Sequence, residues 1–184
     1  ETRIFRLTQP EGPEYVPLAN RARKLWEELE AESNVDILTE TGSIHAGPAD
    51  GSKVSSAIKS CDKHDITYSV LDADELRDRF PAYDLPDDYQ GVYQPDGGFL
   101  ACERAISTHI HQAHRHGGTV HARERVRNVE LRESNVRVET DRDSYQAENL
   151  VVTAGAWTRD ILDVLTNKLV PQRRVMMWLQ PEHP

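Results

Sequence analysis

Leu150-Val151-Val152-Thr153-Ala154-Gly155-Ala156-Trp157 is the stretch that decides the fold. Three apolar residues in a row, two of them β-branched, read as a short strand buried on both faces. Thr153, Ala154 and Gly155 put small side chains at its end, and Trp157, Ile161, Leu162 and Leu165 follow at helical spacing. A buried strand that stops at a glycine and turns into a helix is where α/β proteins place their ligands. Small side chains let the backbone come close to a bound group, and the helix N-terminus favours an anion there. Many such turns bind nothing, so the choice between ligand turn and plain structural turn falls to the rest of the chain.

Immediately upstream, Val126 to Leu131, Val136 to Thr140 and Ser144 to Ala147 carry alternating apolar residues. Turns at Glu133-Ser134-Asn135 and Asp141-Arg142-Asp143 separate them, which predicts a β-meander feeding Leu150. Before the meander, Cys102 to His116 reads as a helix with Ile106, Ile110 and Ala113 inward. Gly117-Gly118 stops it and Thr119 to Ala122 follows as a strand, half of a parallel α/β unit. Nearer the start, Val16, Ala19, Ala22, Leu25, Trp26 and Leu29 trace one face of a helix that begins at Glu14. Short strands are expected over Ile37 to Thr39, Ser43 to Ala46, Tyr68 to Leu71, Gln90 to Tyr93 and Gly98 to Leu100. Asp50 or Ser52 can cap a helix with Val54, Ala57, Ile58 and Cys61 on one face, and Asp72 a second that Pro81 ends.

The chain has 184 residues, enough for one core or two small interleaved ones. It opens on Glu1-Thr2-Arg3 and closes after an apolar run, which reads as the interior of a longer chain. No apolar run approaches a membrane span and no signal-peptide pattern opens the chain, so a cytoplasmic protein without a membrane partner is expected. A net charge of −9 with no basic stripe argues against nucleic acid as partner. Only five lysines stand beside 17 arginines, a surface that suits concentrated salt, and a melting temperature rising toward molar potassium chloride is expected for a salt-loving source. An ordinary acidic cytosolic surface is the competing reading. Cys61 and Cys102 fit no metal spacing and no disulfide framework, and read as buried structural thiols. His109 and His116 share a flank of their helix but lie about 10 Å apart along its axis, so a metal site is not expected. His111 and His114 fall on another flank, with nothing obvious to complete a shell.

Thr2-Arg3-Ile4-Phe5-Arg6 sets two arginines three apart, on one face if the segment is a helical turn. Two readings stand: a solvated pair around an apolar anchor, or a pair aimed at one anion, since arginine forks match carboxylates and phosphates.

The order of these parts resembles the middle of the FAD-dependent amine and amino-acid oxidase (DAO) superfamily, nearest its sarcosine oxidase and N-methyl-tryptophan oxidase branch. Four segments carry the resemblance: Thr2–Arg6 with Glu11–Leu18; Thr41-Gly42; Pro95–Leu100; and Leu150–Trp157. It implies an enzyme whose flavin takes a hydride from the carbon beside a secondary amine or an N-methyl amino acid. Oxygen is the implied acceptor, giving hydrogen peroxide. On that resemblance Arg3 lies near the flavin ring in a catalytic role, and Arg6 pairs the substrate carboxylate. Val126, after Arg125, matches the place where valine backbone groups meet the adenine. Thr153, Gly155, Ala156 and Trp157 match the turn that passes the cofactor.

The implied fold is α/β with α+β character: the centre of a Rossmann-like FAD-binding lobe (residues 1–34 and 99–166) interleaved with a mixed-sheet substrate lobe (residues 35–98 and 167–184, a last strand starting near Leu169). The sequence contains no G-x-G-x-x-G to cradle the pyrophosphate. Neither cysteine matches the one that attaches flavin covalently, and Arg173-Arg174 stands where relatives have arginine then glutamine. The chain alone is therefore expected to be inactive, its parent a monomer or simple homo-oligomer. The acceptor can also be a quinone, and amino-acid or glycerol-3-phosphate dehydrogenases share the fold. A reading from another class also stays open: a non-catalytic α+β module using Arg3, Arg6 and the Gly155 turn to bind an anion.

Overall fold

The structure, a computed structural model, describes residues 2–162, 165, 167–173, 175 and 177–180. Arg174 and the end of the expected last strand lie outside them. The described residues form two compact units, one up to Gly118 together with Gln180, the other from Thr119 to Leu179.

The first unit begins with strand β1 (Thr2–Phe5) and a 3-10 turn (Pro13–Tyr15) that leads into helix α1 (Val16–Ser33). Asn34 ends α1 in the left-handed conformation at φ 55°. Strands β2 (Leu38–Glu40) and β3 (Ser43–Pro48) follow, then helix α2 (Ser52–Lys63), strand β4 (Ser69–Leu71) and helix α3 (Ala73–Arg79). Strands β5 (Tyr89–Gln94) and β6 (Gly98–Ala101) lead to helix α4 (Cys102–Arg115). The strands make two three-stranded sheets, ordered β1-β6-β2 and β3-β5-β4, both antiparallel. Gly98 pairs with Phe5 on one side and Glu40 on the other, and a Cβ there would lie 2.0 Å from the Thr39 carbonyl oxygen. Only glycine fits where the three strands meet.

Phe5, Leu7, Val16, Cys61 and Ile66 form the largest buried cluster of this unit. Trp26 joins it to a second cluster of Leu29, Ile37 and Ala105, while Val54, Ala57 and Val92 pack α2 on β5. The α1 face is thus the one its spacing predicts, except that Leu25 is exposed. Asp72 caps α3 as expected, in a full capping box: its carboxylate accepts from the Glu75 amide and Glu75 accepts from the Asp72 amide. Helix α2 starts from Gly51 without a side-chain cap, so neither Asp50 nor Ser52 serves there. Cys61 is buried, but Cys102 is only partly so, because it opens α4 at the edge of the unit.

The second unit is the expected meander: β7 (Val126–Leu131), β8 (Val136–Thr140) and β9 (Ser144–Ala147), antiparallel in sequence order, with a bulge between Val126 and Asn128. Two strands predicted beside it do not form. Thr119–Ala122, whose last residue is in a turn, and Leu150–Thr153 have no ladder partners among the described residues, and Val151 is 82% exposed. An apolar run becomes a strand only by pairing, and no neighbour on either side is offered. All described pairings are antiparallel, so the expected parallel unit is absent among them. The predicted helix after Gly155 is a 3-10 turn (Gly155–Trp157) and one short turn, α5 (Thr158–Ile161), with Leu165 beyond it.

Candidate functional site

The first unit holds the arginine pair. Thr2–Phe5 is a strand rather than a helical turn, because it pairs residue for residue with Gly98–Ala101. The shared helical face expected for Arg3 and Arg6 therefore does not exist: Arg3 is in the strand and Arg6 lies past its end. Arg3 sits within β1, exposed, and its guanidinium donates to the Thr2 carbonyl at 3.3 Å. Arg6 lies just past the strand, where Glu11 in the following turn takes its Nη2 at 3.2 and 3.4 Å. Gln9 donates to the Arg6 carbonyl at 2.9 Å, and the buried Ser60 hydroxyl donates to the Gln9 carbonyl at 2.7 Å. The loop carrying Arg6 is thereby tied to α2.

The Arg6 Nε is buried and has no hydrogen-bond partner among the described residues. Neither does the buried Nε2 of His45, on β3. Burial, and then the Arg6 guanidinium, holds the His45 imidazole below its ordinary range, with Glu11 opposing and Lys53 adding to the effect. A buried N–H aimed at nothing is costly and marks a place for an acceptor. Gln94, fully buried on β5, accepts from the Leu7 and Thr8 amides at 2.9 and 3.0 Å and fixes the backbone just after Arg6. On another side of this unit a cavity of about 360 Å³ is lined by Ile4, Gly42, Phe80, Tyr83, Tyr93 and Phe99. The Arg79 guanidinium stands 4.2 Å from the Tyr93 ring centre. Glu11, Gly42 and Phe99 stand within the four segments that carry the resemblance. The sequence does not show that Glu11, His45 and Gln94 gather around the Arg6 segment or that Phe99 joins an aromatic wall, because His45, Gln94 and Phe99 come from distant strands.

The second unit holds the other predicted residues. Val126 lines two recesses of about 610 and 620 Å³. The first adds Arg125, Arg127 and Trp157, and the second adds Thr153 and the Leu150–Val152 segment. Val126, Thr153 and Trp157 are therefore brought together around adjoining spaces. Gly155 has φ +56°, and a Cβ there would meet nothing within 4 Å. Its left-handed backbone faces open space, which leaves room for a close approach. Ala156 sits in the same 3-10 turn.

The histidines have separate partners. His109 packs on Trp26 with ring centres 5.5 Å apart, His116 lies 3.5 Å from Glu32, and His114 Nδ1 lies 3.1 Å from the Gly118 carbonyl. Among the described residues no three His, Cys, Asp or Glu side chains are grouped to hold a metal ion. No described helix is long and apolar enough to cross a membrane.

The model of the DAO family, described as FAD dependent oxidoreductase, matches residues 3–184. The chain belongs to this family. Within it, a monomeric sarcosine oxidase from Bacillus sp. (strain NS-129) is 37% identical over 179 residues, covering 96% of this chain and 46% of the relative. An N-methyl-L-tryptophan oxidase from Yersinia pestis (strain Pestoides F) is 32% identical over 99% of this chain and 48% of the relative. The chain thus spans about half the length of the curated DAO relatives it matches. Among solved structures, the open form of NikD, an unusual amino acid oxidase essential for nikkomycin biosynthesis, superposes with TM-score 0.78 at 30% identity, covering 89% of this chain and 42% of NikD. The L-proline dehydrogenase from P. horikoshii shares the fold, at TM-score 0.73 and 16% identity. The residues present fit an FAD. Gly155 leaves room for a close approach, Arg125 and Arg127 suit phosphate although Asp160 lines the same recess, and Trp157 is 70% exposed and open to a ring.

Proposed function

We propose that this chain is the central part of a flavin-dependent oxidoreductase that oxidises the CH–NH bond of a secondary amine or N-methyl amino acid. The observation that carries the reading is the 37% identity to a monomeric sarcosine oxidase across nearly the whole chain. FAD, when bound, supplies the two-electron oxidant, and oxygen is the acceptor that returns hydrogen peroxide. Arg6 holds the substrate carboxylate: Glu11 accepts from Nη2, and the side chain is still 29% exposed for a second acceptor. Fixing the carboxylate orients the amine carbon, the part of the barrier that positioning can remove. Arg3, exposed on β1, faces the flavin ring as the catalytic arginine. Val126, Thr153, Gly155, Ala156 and Trp157 hold the cofactor.

In the same reading residues 1–34 and 99–166 belong to the cofactor lobe and residues 35–98 and 167–184 to the substrate lobe. The enzyme works in the cytoplasm as a monomer or simple homo-oligomer, and the 184 residues by themselves are inactive. The test is a screen of the full-length parent against N-methyl amino acids for peroxide release, with Arg6→Met alongside. Release from the parent, with Arg6→Met raising KM for the amino acid far more than it lowers kcat, is expected. No turnover of any secondary amine, or an Arg6→Met enzyme with unchanged KM, overturns the reading.

A further inference from the structure

Glu124 enters none of the roles above, yet its carboxylate is only 6% exposed in a segment as polar as His121-Ala122-Arg123-Glu124-Arg125. A carboxylate withdrawn from water is costly unless its lone pairs are met. Here the Thr140 hydroxyl, at the end of β8, donates to its Oε1 at 2.6 Å, and the Tyr145 hydroxyl, on β9, donates to the same oxygen at 2.8 Å. The other oxygen lies 3.4 Å from Nδ1 of His121, whose ring stands edge-on to Tyr145 at 5.4 Å. One side chain therefore joins the segment before β7 to both of the other strands.

The next residue is held by the residue that follows Thr140. The Arg125 amide donates to Asp141 Oδ1 at 3.0 Å, and the Asp141 amide donates to the Arg125 carbonyl at 3.0 Å. Val126 then opens the ladder opposite Thr140, just before the bulge. The backbone of Arg125 and Val126 is thus tied to the end of β8 through Glu124 and Thr140 and again through Asp141.

We infer that Glu124 is a positioning residue for the cofactor: it holds the Arg125–Val126 backbone in register so that Val126 presents its main chain to the adenine of FAD. The inference rests on the FAD reading above. The strand pairing does not itself need a carboxylate at this place. What the geometry needs is one acceptor that reaches two hydroxyls, so glutamine should serve and alanine should not.

The experiment uses the full-length parent stripped of flavin, with Glu124→Gln, Glu124→Ala and Tyr145→Phe. Kd for added FAD is measured together with hydrogen exchange at the Arg125, Val126 and Val138 amides. Glu124→Ala should weaken FAD by about tenfold, the ratio that 1.4 kcal/mol produces. It should speed exchange at Arg125 and Val126 but not at Val138, and Glu124→Gln should stay near wild type. Tyr145→Phe, which removes a single hydroxyl, should fall between them and serves where Glu124→Ala does not fold. Alanine binding FAD as tightly as wild type, glutamine losing as much as alanine, or exchange rising equally at Val138 would each overturn the positioning role while leaving the FAD reading intact. A wild-type parent that binds no FAD would remove both.

Discussion

Gln94 shows how much a single side chain contributes away from any reacting atom. It is wholly buried, and its Oε1 serves two buried amides, Leu7 and Thr8, that no strand or helix satisfies. A buried donor left unmade costs about 1–3 kcal/mol. Gln94→Leu should therefore lower unfolding stability by about 3 kcal/mol, read as a fall in urea midpoint. An unchanged midpoint would mean that the segment after Arg6 is held by something else. The sequence places Arg3 and Arg6 three apart but hides what surrounds them. Gln94 acts on residues far behind it in the chain, and His45 meets Arg6 from another sheet. Linear spacing carries no trace of such partners. Cys61 is a simpler case: its apolar helical neighbours imply burial, and burial, with Asp62 nearby, pushes its thiol up to about 11.

Elements were legible in proportion to how local their causes are. The Asp72–Glu75 capping box is written into four consecutive residues, and α3 starts where it predicts. Asp72→Ala should cost about 1 kcal/mol, measured as a lower thermal midpoint, and no loss would mean that α3 is held by packing alone. The meander was equally readable, because alternation and two polar turns fix its strands without distant partners. Leu150–Val152 and Thr119–Ala122 failed for the opposite reason. Their apolar content is real, but a strand is a relation between segments, and no second segment pairs with them among the described residues. The arginine segment failed differently: a three-residue spacing fits a helical turn, and only the antiparallel register with Gly98–Ala101 makes it β1.

For the whole molecule, sequence order was more informative than any single motif. The order arginine pair, helix, mixed α/β insert, helix with its Gly-Gly stop, meander and small-residue turn carries the resemblance, and the family match spans residues 3–184. One group in each unit bears on the response to acid. His45 is held below its ordinary value of 6.5 mainly by burial, so its neutral form belongs to the fold. Its contribution is complete above 6.5 and is lost as pH falls through the lowered value. Glu124 is held below 4.5 first by the Thr140 hydroxyl and then by that of Tyr145, with burial opposing, so its contribution disappears only in stronger acid. Unfolding temperature should decline in two stages on acidification, the earlier one removed by His45→Gln. A single transition with pH unaffected by that variant would contradict the assignment.

In the proposed function the recesses around Val126, with Thr153 and Trp157 at their rims, form one side of a flavin site in the parent protein. The visible absorption spectrum of the purified full-length protein tests it most directly. The account predicts oxidised-flavin bands that bleach when an N-methyl amino acid is added without oxygen and return when air is admitted. A colourless protein that takes up no added FAD, or flavin bands indifferent to every amine, would contradict it.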